Sequence, residues 1–140
     1  MDERRLGGKR VGSYRELLVW QKSMDLVVKS YELAKRLPSN EAYGLSSQIQ
    51  RAAVSVPANI AEGYGRHHRG DYLHHVSIAN GSLKELETHF LIAQRPAYLS
   101  EDQIATALKL TSELGRMLRA LAQGLRRPAA SDLPLRGAST

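Results

Sequence analysis

A chain of 140 residues with 42% apolar residues is long enough to bury a core and fits one globular domain. No stretch reaches the roughly eighteen apolar residues of a membrane span, and the charged start lacks a signal-peptide apolar region. We therefore expect a cytoplasmic protein that does not enter a membrane. The absence of cysteine excludes disulfides, thiolate metal sites and cysteine nucleophiles.

The net charge of +6 is spread unevenly along the chain. Residues 1–13 contain four Lys/Arg against two acids, and residues 126–140 contain three Arg against one acid. Because cations in tails can touch phosphate without forming a shaped site, the total charge is weak evidence for nucleic-acid binding. We expect a flexible basic extension over 1–13, a folded domain over 14–125 and a disordered tail over 126–140.

The first predicted helix begins with a capping box, because Ser13 and Glu16 have the S-x-x-E spacing. It is expected to end near Leu37, just before Pro38. Its apolar residues recur at alternating spacings of three and four, which predicts a buried seam like that of a coiled coil. The seam consists of Leu17, Trp20, Met24, Val27, Tyr31 and Ala34.

A second helix is predicted from between Glu41 and Ser46 to about Glu62. Pro57 predicts a kink or local break in it, and Gly63 is expected to close it in the left-handed conformation. Its apolar row consists of Leu45, Ile49, Ala53, Val56 and Ile60.

A polar row lies about 100° away on the same helix and consists of Gln48, Arg51, Ser55, Asn59 and Glu62. It fits either a solvated face or a partly buried hydrogen-bonded network. In the second case Asn59 and Glu62 satisfy backbone groups that Pro57 frees. Arg51 would then pair with a carboxylate such as Glu62, Glu85 or Glu87. The residues assigned to this structural network are Gln48, Asn59, Glu62 and Glu85.

The third predicted helix has Asp71 as its cap, and Pro96 is expected to bend or end it. Its apolar stripe consists of Val76, Ala79, Leu83, Leu86, Phe90 and Ala93. Gly81 and Ser82 lie in its interior, where a glycine costs about 1 kcal/mol relative to alanine. These small residues indicate that another helix or a partner approaches the backbone closely.

The fourth predicted helix begins with a second capping box, Ser100 with Gln103. One apolar stripe consists of Ile104, Leu108, Thr111, Gly115, Leu118, Ala122 and Leu125. A second stripe beside it consists of Leu110, Leu114, Met117 and Leu121. Such a face is wider than one neighbouring helix needs. Four helices joined by short loops, without strand alternation, predict an all-α, antiparallel up-down-up-down four-helix bundle.

The segment RHHRGDYLHH follows the second helix and is the candidate nucleic-acid-binding corner. Cations interleaved with aromatic residues can hold phosphates and stack bases, although a short basic loop is also common as a merely solvated feature. The residues predicted to contact nucleic acid are Arg51, Arg66, His67, His68, Arg69 and Lys84.

Metal binding and catalysis find little support in the sequence. Asp71 and His75 share a helical face, but no H-E-x-x-H or Glu-x-x-His spacing is present. No serine lies in a nucleophile elbow, and Gly63 and Gly65 follow a helix rather than a strand. We expect no catalytic residue, no metal and no cofactor.

Three stretches of the chain resemble a known family: VWQKSMDLVV, YGLSSQIQRAAVSVPANIAEGYGR and IANGSLKELETHFLIA. They are similar to the four-helix-bundle proteins encoded in bacterial 23S rRNA intervening sequences, and the similarity extends from about Tyr14 to Leu125. The basic N-terminal extension and the long C-terminal tail depart from the family pattern.

The resemblance implies a closed bundle that assembles as a ring-shaped homopentamer and has no agreed enzymatic activity. Related accessory variability determinants of diversity-generating retroelements use a basic ring to engage nucleic acid and a reverse transcriptase. The hypothesis is therefore a non-enzymatic homo-oligomer that binds RNA or DNA. The alternatives are a scaffold that docks an acidic protein partner, for example a reverse transcriptase, and an enzyme or metal protein.

Overall fold

The computed structural model describes residues 5–6, 9–10 and 12–127. Two two-residue strands, β1 (Arg5–Leu6) and β2 (Lys9–Arg10), pair antiparallel, and 3-10 turns cover Tyr14–Glu16 and Ser39–Glu41. The four helices are α1 (Leu18–Ala34), α2 (Leu45–Tyr64), α3 (Arg69–Gln94) and α4 (Glu101–Arg126). α4 therefore extends one residue into the predicted tail, of which residues 128–140 lie outside the described part.

The four helices form the predicted bundle. Each helix packs against the next one in the sequence, and α4 also packs against α1, so the four helices form a closed square. The apolar rows predicted on α2 and α3 are buried throughout. Tyr72 and Phe90 are the largest fully buried side chains. Hydrophobic burial of these rows is the main stabilising contribution to the fold.

The seam predicted on α1 is confirmed at Leu17 and Ala34, which are buried, while Trp20 and Val27 are partly buried against the core. It is wrong at Met24 and Tyr31. The buried face consists of Val19, Ser23, Leu26, Ser30, Leu33 and Ala34. Met24 and Tyr31 are instead 39% and 40% exposed. Serine is accepted in the core because each hydroxyl donates to a carbonyl of its own helix, Ser23 to Trp20 O and Ser30 to Leu26 O, both at 2.7 Å.

The predicted bounds of α1 are also wrong, since the helix ends at Ala34 rather than near Leu37. Ser13 caps the 3-10 turn, accepting from Arg15 N at 3.2 Å, and Glu16 accepts from Gly12 N at 3.4 Å. The reciprocal bonds of a capping box are therefore not formed here, and α1 begins only at Leu18.

α2 continues through Pro57 without a break, and Gly63 is an internal helical residue, so its predicted left-handed role is wrong. The helix ends before Gly65, whose φ of −76° is right-handed. Gly63 instead allows α3 to come close: a Cβ there would lie 2.8 Å from the Cβ of His75 and 3.0 Å from Cδ1 of Tyr72.

α3 begins after His68, which makes no side-chain cap, and the predicted cap Asp71 lies in the first turn. α3 ends at Gln94, as Pro96 predicts, and the capping box of Ser100 and Gln103 opens α4 with bonds of 3.1 and 2.8 Å.

The wide apolar face of α4 is used within the chain, because Leu108, Leu110, Met117 and Ala122 pack against the core. Surplus apolar surface lies on the other helices and on the loop before α2. Its large members are Leu18, Met24, Val28, Tyr31, Tyr43, Val54, Ile78, Leu91 and Ile92.

Candidate nucleic-acid interface

The corner between α2 and α3 presents the predicted basic residues Arg66, His67 and His68 to solvent. Arg66 Nη2 lies 3.0 Å from Glu62 Oε1, one helical turn back. An exposed pair of this kind contributes little to stability and leaves most guanidinium donors available. The two histidines are exposed on the same loop.

Arg69 has a different role, because its guanidinium is directed at the end of α4. Its Nη2 donates to Gly124 O at 2.9 Å and also to Arg127 O. A cation at a helix C-terminus neutralises carbonyls that lack intrahelical partners and is favoured by the helix dipole. Arg69 therefore joins the corner to the end of α4 and has fewer donors left for a ligand than Arg66.

This contact places the C-terminal half of α4 beside the corner. Residues 115–127 contain four arginines and no acid, whereas residues 101–114 contain three acids and one lysine. The arginines are Arg116, Arg119, Arg126 and Arg127. We use the term basic end for the corner residues 66–69 together with these four arginines. This charge asymmetry along α4 is visible in the sequence, but the apolar stripes by themselves predict only a core helix.

Arg51 and Lys84 lie away from the basic end. Thirteen residues of helix separate Arg51 from Tyr64, a rise of about 20 Å. Lys84 Nζ lies 3.5 Å from Glu87 Oε1, while Arg51 has no hydrogen-bond or ion-pair partner within residues 12–127. The six predicted contact residues therefore do not form one patch: four lie at the corner, and Arg51 and Lys84 lie away from it.

The polar row on α2 takes part in a chain of contacts with α3. Ser82 and Ser55 share a hydroxyl bond of 2.7 Å, and Asn59 Nδ2 donates to Ser55 O and Oγ at 2.9 and 3.1 Å. His75 Nδ1 lies 3.1 Å from Asn59 Oδ1, and its Nε2 lies 3.9 Å from Glu62 Oε1. Through Glu62 the chain reaches Arg66, so it connects the helix interior to the corner.

Two details of the predicted network are wrong. Asn59 binds the carbonyl of Ser55 rather than that of Ala53, the group that loses its donor at Pro57. Arg51 pairs with none of its proposed carboxylates, because Glu62, Glu85 and Glu87 face Arg66, His89 and Lys84 respectively. Sequence reasoning also missed His75, whose only signal was its i, i+4 spacing from Asp71.

Gln48, Arg51 and Glu85 line an open groove of 440 Å³ between α2 and α3, with the Ser55–Ser82 pair among its other lining residues. A second groove of the same volume lies between α1 and α2, lined by Tyr31 and Val54, and Arg51 borders both. Within the described residues, no three His, Cys, Asp or Glu side chains are placed to hold a metal ion.

The sequence model of one protein family, the 23S rRNA-intervening sequence proteins, matches residues 15–120 of this chain. The chain belongs to this family. It is also similar to a crystal structure from Bacteroides thetaiotaomicron, described as a protein of unknown function from the S23 ribosomal protein family. That structure is 27% identical, with a TM-score of 0.70 over 76% of this chain and 99% of the other.

No match is found among curated proteins. Of the helices in the described ranges, none is both long and apolar enough to cross a bilayer.

Proposed function

We propose that this family member is a non-enzymatic, self-associating helical bundle that binds RNA or DNA through its basic end. The observation behind the proposal is the meeting of two cationic segments at one end of the fold. Arg69 donates to Gly124 O and Arg127 O, so the corner that contains Arg66, His67 and His68 adjoins the end of α4 that carries Arg126. Positive groups from separate elements converge, as expected of a surface that contacts several phosphates.

The opposite end of the bundle differs in charge. α4 begins with Glu101 and Asp102 in its first turn, and Glu41 lies in the turn before α2. Lys35 and Arg36 at the end of α1 offset these acids. A polyanion is therefore attracted to one end of the bundle, and this supports binding with a defined orientation.

Self-association is proposed through a patch on α1 and α2. Met24, Val28 and Tyr31 follow each other at helical spacings of four and three, and Val54 lies across the groove from Tyr31. Val28 and Val54 are 60% and 42% exposed. A separate patch, Leu91 and Ile92 on α3, is available for a head-to-tail contact, the arrangement that closes into rings.

Fluorescence anisotropy with a structured RNA, across a salt series, tests nucleic-acid binding. The double variant Arg66→Gln with Arg126→Gln removes two cations of the basic end without touching Arg69. We expect weaker binding and a salt slope smaller by about 1.4 to 1.8 per chain, because each lost phosphate contact removes about 0.7 to 0.9.

The matched control is Lys35→Gln with Arg36→Gln, which removes the same charge at the opposite end. Equal losses in the two double variants would show that only net charge matters and would contradict the proposed site. Light scattering of Val28→Glu, alongside the unchanged protein, tests self-association: we expect the variant to have a lower mass. Single subunits of the unchanged protein would refute the assembly.

A further inference from the structure

The outer face of α2 is almost free of charge along most of the helix. Between Glu41 and Glu62 the chain contains a single charged residue, Arg51, and its side chain is exposed. Val54, about one turn further along, is 42% exposed, and Ala58 is also exposed. The centre of a protein interface is depleted of most charged residues but enriched in arginine. This composition is therefore typical of a face that another protein covers.

Arg51 borders the open groove of 440 Å³ between α1 and α2, together with Tyr31, Gln50, Val54 and Ser55. We call this surface the receiving groove. Arg51 has no hydrogen-bond or ion-pair partner within residues 12–127. Its guanidinium therefore offers free donors next to partly exposed apolar side chains. The groove suits an occupant that combines an apolar side chain with a carboxylate.

The same chain presents such an occupant on α1. Asp25, Val28 and Glu32 follow each other at spacings of three and four, so they lie on one side of the helix. We use the term acidic ridge for these three residues. Val28 is 60% exposed, and Asp25 forms no ion pair within residues 12–127. The side chain of Glu32 is 59% exposed, and its contact with Lys29 is long, at 3.9 Å.

We propose that the acidic ridge of one copy of this chain occupies the receiving groove of a second copy. Val28 then packs against the apolar side chains of the groove, and Asp25 or Glu32 pairs with Arg51 of the second copy. The apolar contact excludes water, while the charge pair at its edge fixes the register of the two helices. The inference rests on the proposed self-association and names the two surfaces that meet.

The ridge and the groove lie on different sides of α1, so each copy can use both at once. Tyr31 lines the groove towards α2, whereas Lys22, one turn before Asp25, bonds Glu113 of α4. A contact between two different surfaces is head-to-tail, and it closes into a ring where the rotation between copies permits. The acidic ridge beside the groove also repels phosphate, so a second copy fits this surface better than nucleic acid does.

Charge exchange tests the pairing, with the mass of the assembly measured by light scattering over a dilution series. Arg51→Glu should weaken assembly by roughly 10- to 100-fold, because it places like charges next to each other. The double variant Asp25→Arg with Glu32→Arg should show the same loss. All three substitutions in one chain should restore assembly, since opposite charges again face each other. A mixture of the Arg51→Glu protein and the double variant should assemble at concentrations where neither does so alone.

The matched control is Arg95→Glu, which reverses one charge at the exposed end of α3 and should leave the mass unchanged. All of the replaced side chains are exposed, so each variant is expected to fold. Circular dichroism checks that each variant keeps the helix content of the unchanged protein.

Two results would overturn the inference while leaving self-association intact. In the first, the unchanged protein assembles, but neither the triple variant nor the mixture regains assembly. In the second, Ile92→Glu abolishes assembly and Arg51→Glu does not, which would assign the contact to the patch on α3. Single subunits of the unchanged protein at all concentrations would refute the self-association and the inference together.

Discussion

The close approach of α2 and α3 at Gly63 leads to a quantitative prediction for Gly63→Ala. The added Cβ would lie 2.8 Å from the Cβ of His75, 3.0 Å from Cδ1 of Tyr72 and 3.3 Å from the carbonyl oxygen of Tyr72. His75 Cβ and the Tyr72 carbonyl are fixed to the backbone of α3 and cannot move aside as the tip of a flexible side chain can. The substitution therefore forces the two helices apart.

Three contributions set the size of the effect. At an internal helix position, alanine is more stable than glycine by about 1 kcal/mol, which offsets part of the loss. Overpacking of a close contact costs about 1–3 kcal/mol, here near the upper value because backbone must move. Displacing α3 also weakens the Asn59–His75 hydrogen bond, a loss of about 1 kcal/mol. We expect a net destabilisation of about 3 kcal/mol. The thermal midpoint should then be lower by roughly 9–12 °C for a domain of this size.

Gly81→Ala is the matched control, since Gly81 is also an internal helical glycine but has nothing within 4 Å of its added Cβ. It should stabilise the protein by about 1 kcal/mol. Urea unfolding followed by circular dichroism measures both variants at low protein concentration. If Gly63→Ala were as stable as the unchanged protein, packing at this glycine would not determine the helix spacing. The argument would then be refuted.

Two further predictions concern contacts of α4. Arg69→Gln should reduce the free energy of unfolding by about 1–2 kcal/mol, because bonds from a charged group to the last carbonyls are lost. Arg66→Gln should change it by less than about 0.5 kcal/mol, and equal losses in urea unfolding would contradict the capping role. The hydrogen bond from Lys22 lowers the pKa of Glu113, so this carboxylate stabilises the fold at neutral pH and loses that contribution as the pH falls through its lowered pKa. The stability difference between the unchanged protein and Lys22→Gln should therefore shrink on acidification, and urea unfolding across an acid pH series that shows a constant difference would exclude the linkage.

The helical pattern predicted α2, α3 and α4 well because their core positions are apolar. The start of α4 also has a local signal. The capping box of Ser100 and Gln103 depends only on residues three apart, and it forms as expected. The buried seam predicted on α1 was wrong at Met24 and Tyr31, which are exposed. Ser23 and Ser30 occupy core positions instead, because their hydroxyls bond carbonyls of their own helix. Apolar periodicity alone cannot distinguish a face buried within the chain from an exposed apolar face.

The candidate site could be predicted only where its residues are adjacent in the sequence. Arg66, His67 and His68 are neighbours in the sequence, and they are neighbours on the surface. The contact of Arg69 with Gly124 joins residues 55 positions apart, so neither its capping role nor the position of Arg126 followed from any local pattern. Gly63 shows the same limit, since a glycine near a helix end resembles a terminator when the opposing helix is unknown.

The exposure of Met24 and Tyr31 on α1 is relevant to the proposed assembly. Met24 and Tyr31 keep the spacing of a packing helix although no neighbour in the described chain covers them fully, and Val28 and Val54 extend the same surface. Partial exposure of a regular apolar row is typical of a surface that meets another subunit. In a closed ring with cyclic symmetry, equivalent points of all subunits lie on one face. Every basic end would then face the same side, and one polyanion could contact several of them.

This geometry allows a modest patch on each subunit to bind strongly, because linked sites raise the effective concentration of each other. The salt dependence distinguishes this arrangement from a single-chain site. Disrupting assembly with Val28→Glu leaves all cations of the basic end in place, yet it should reduce both the affinity and the salt slope of RNA binding. If a dissociated Val28→Glu protein kept the full slope, each subunit would bind independently, and the ring would have no part in recognition.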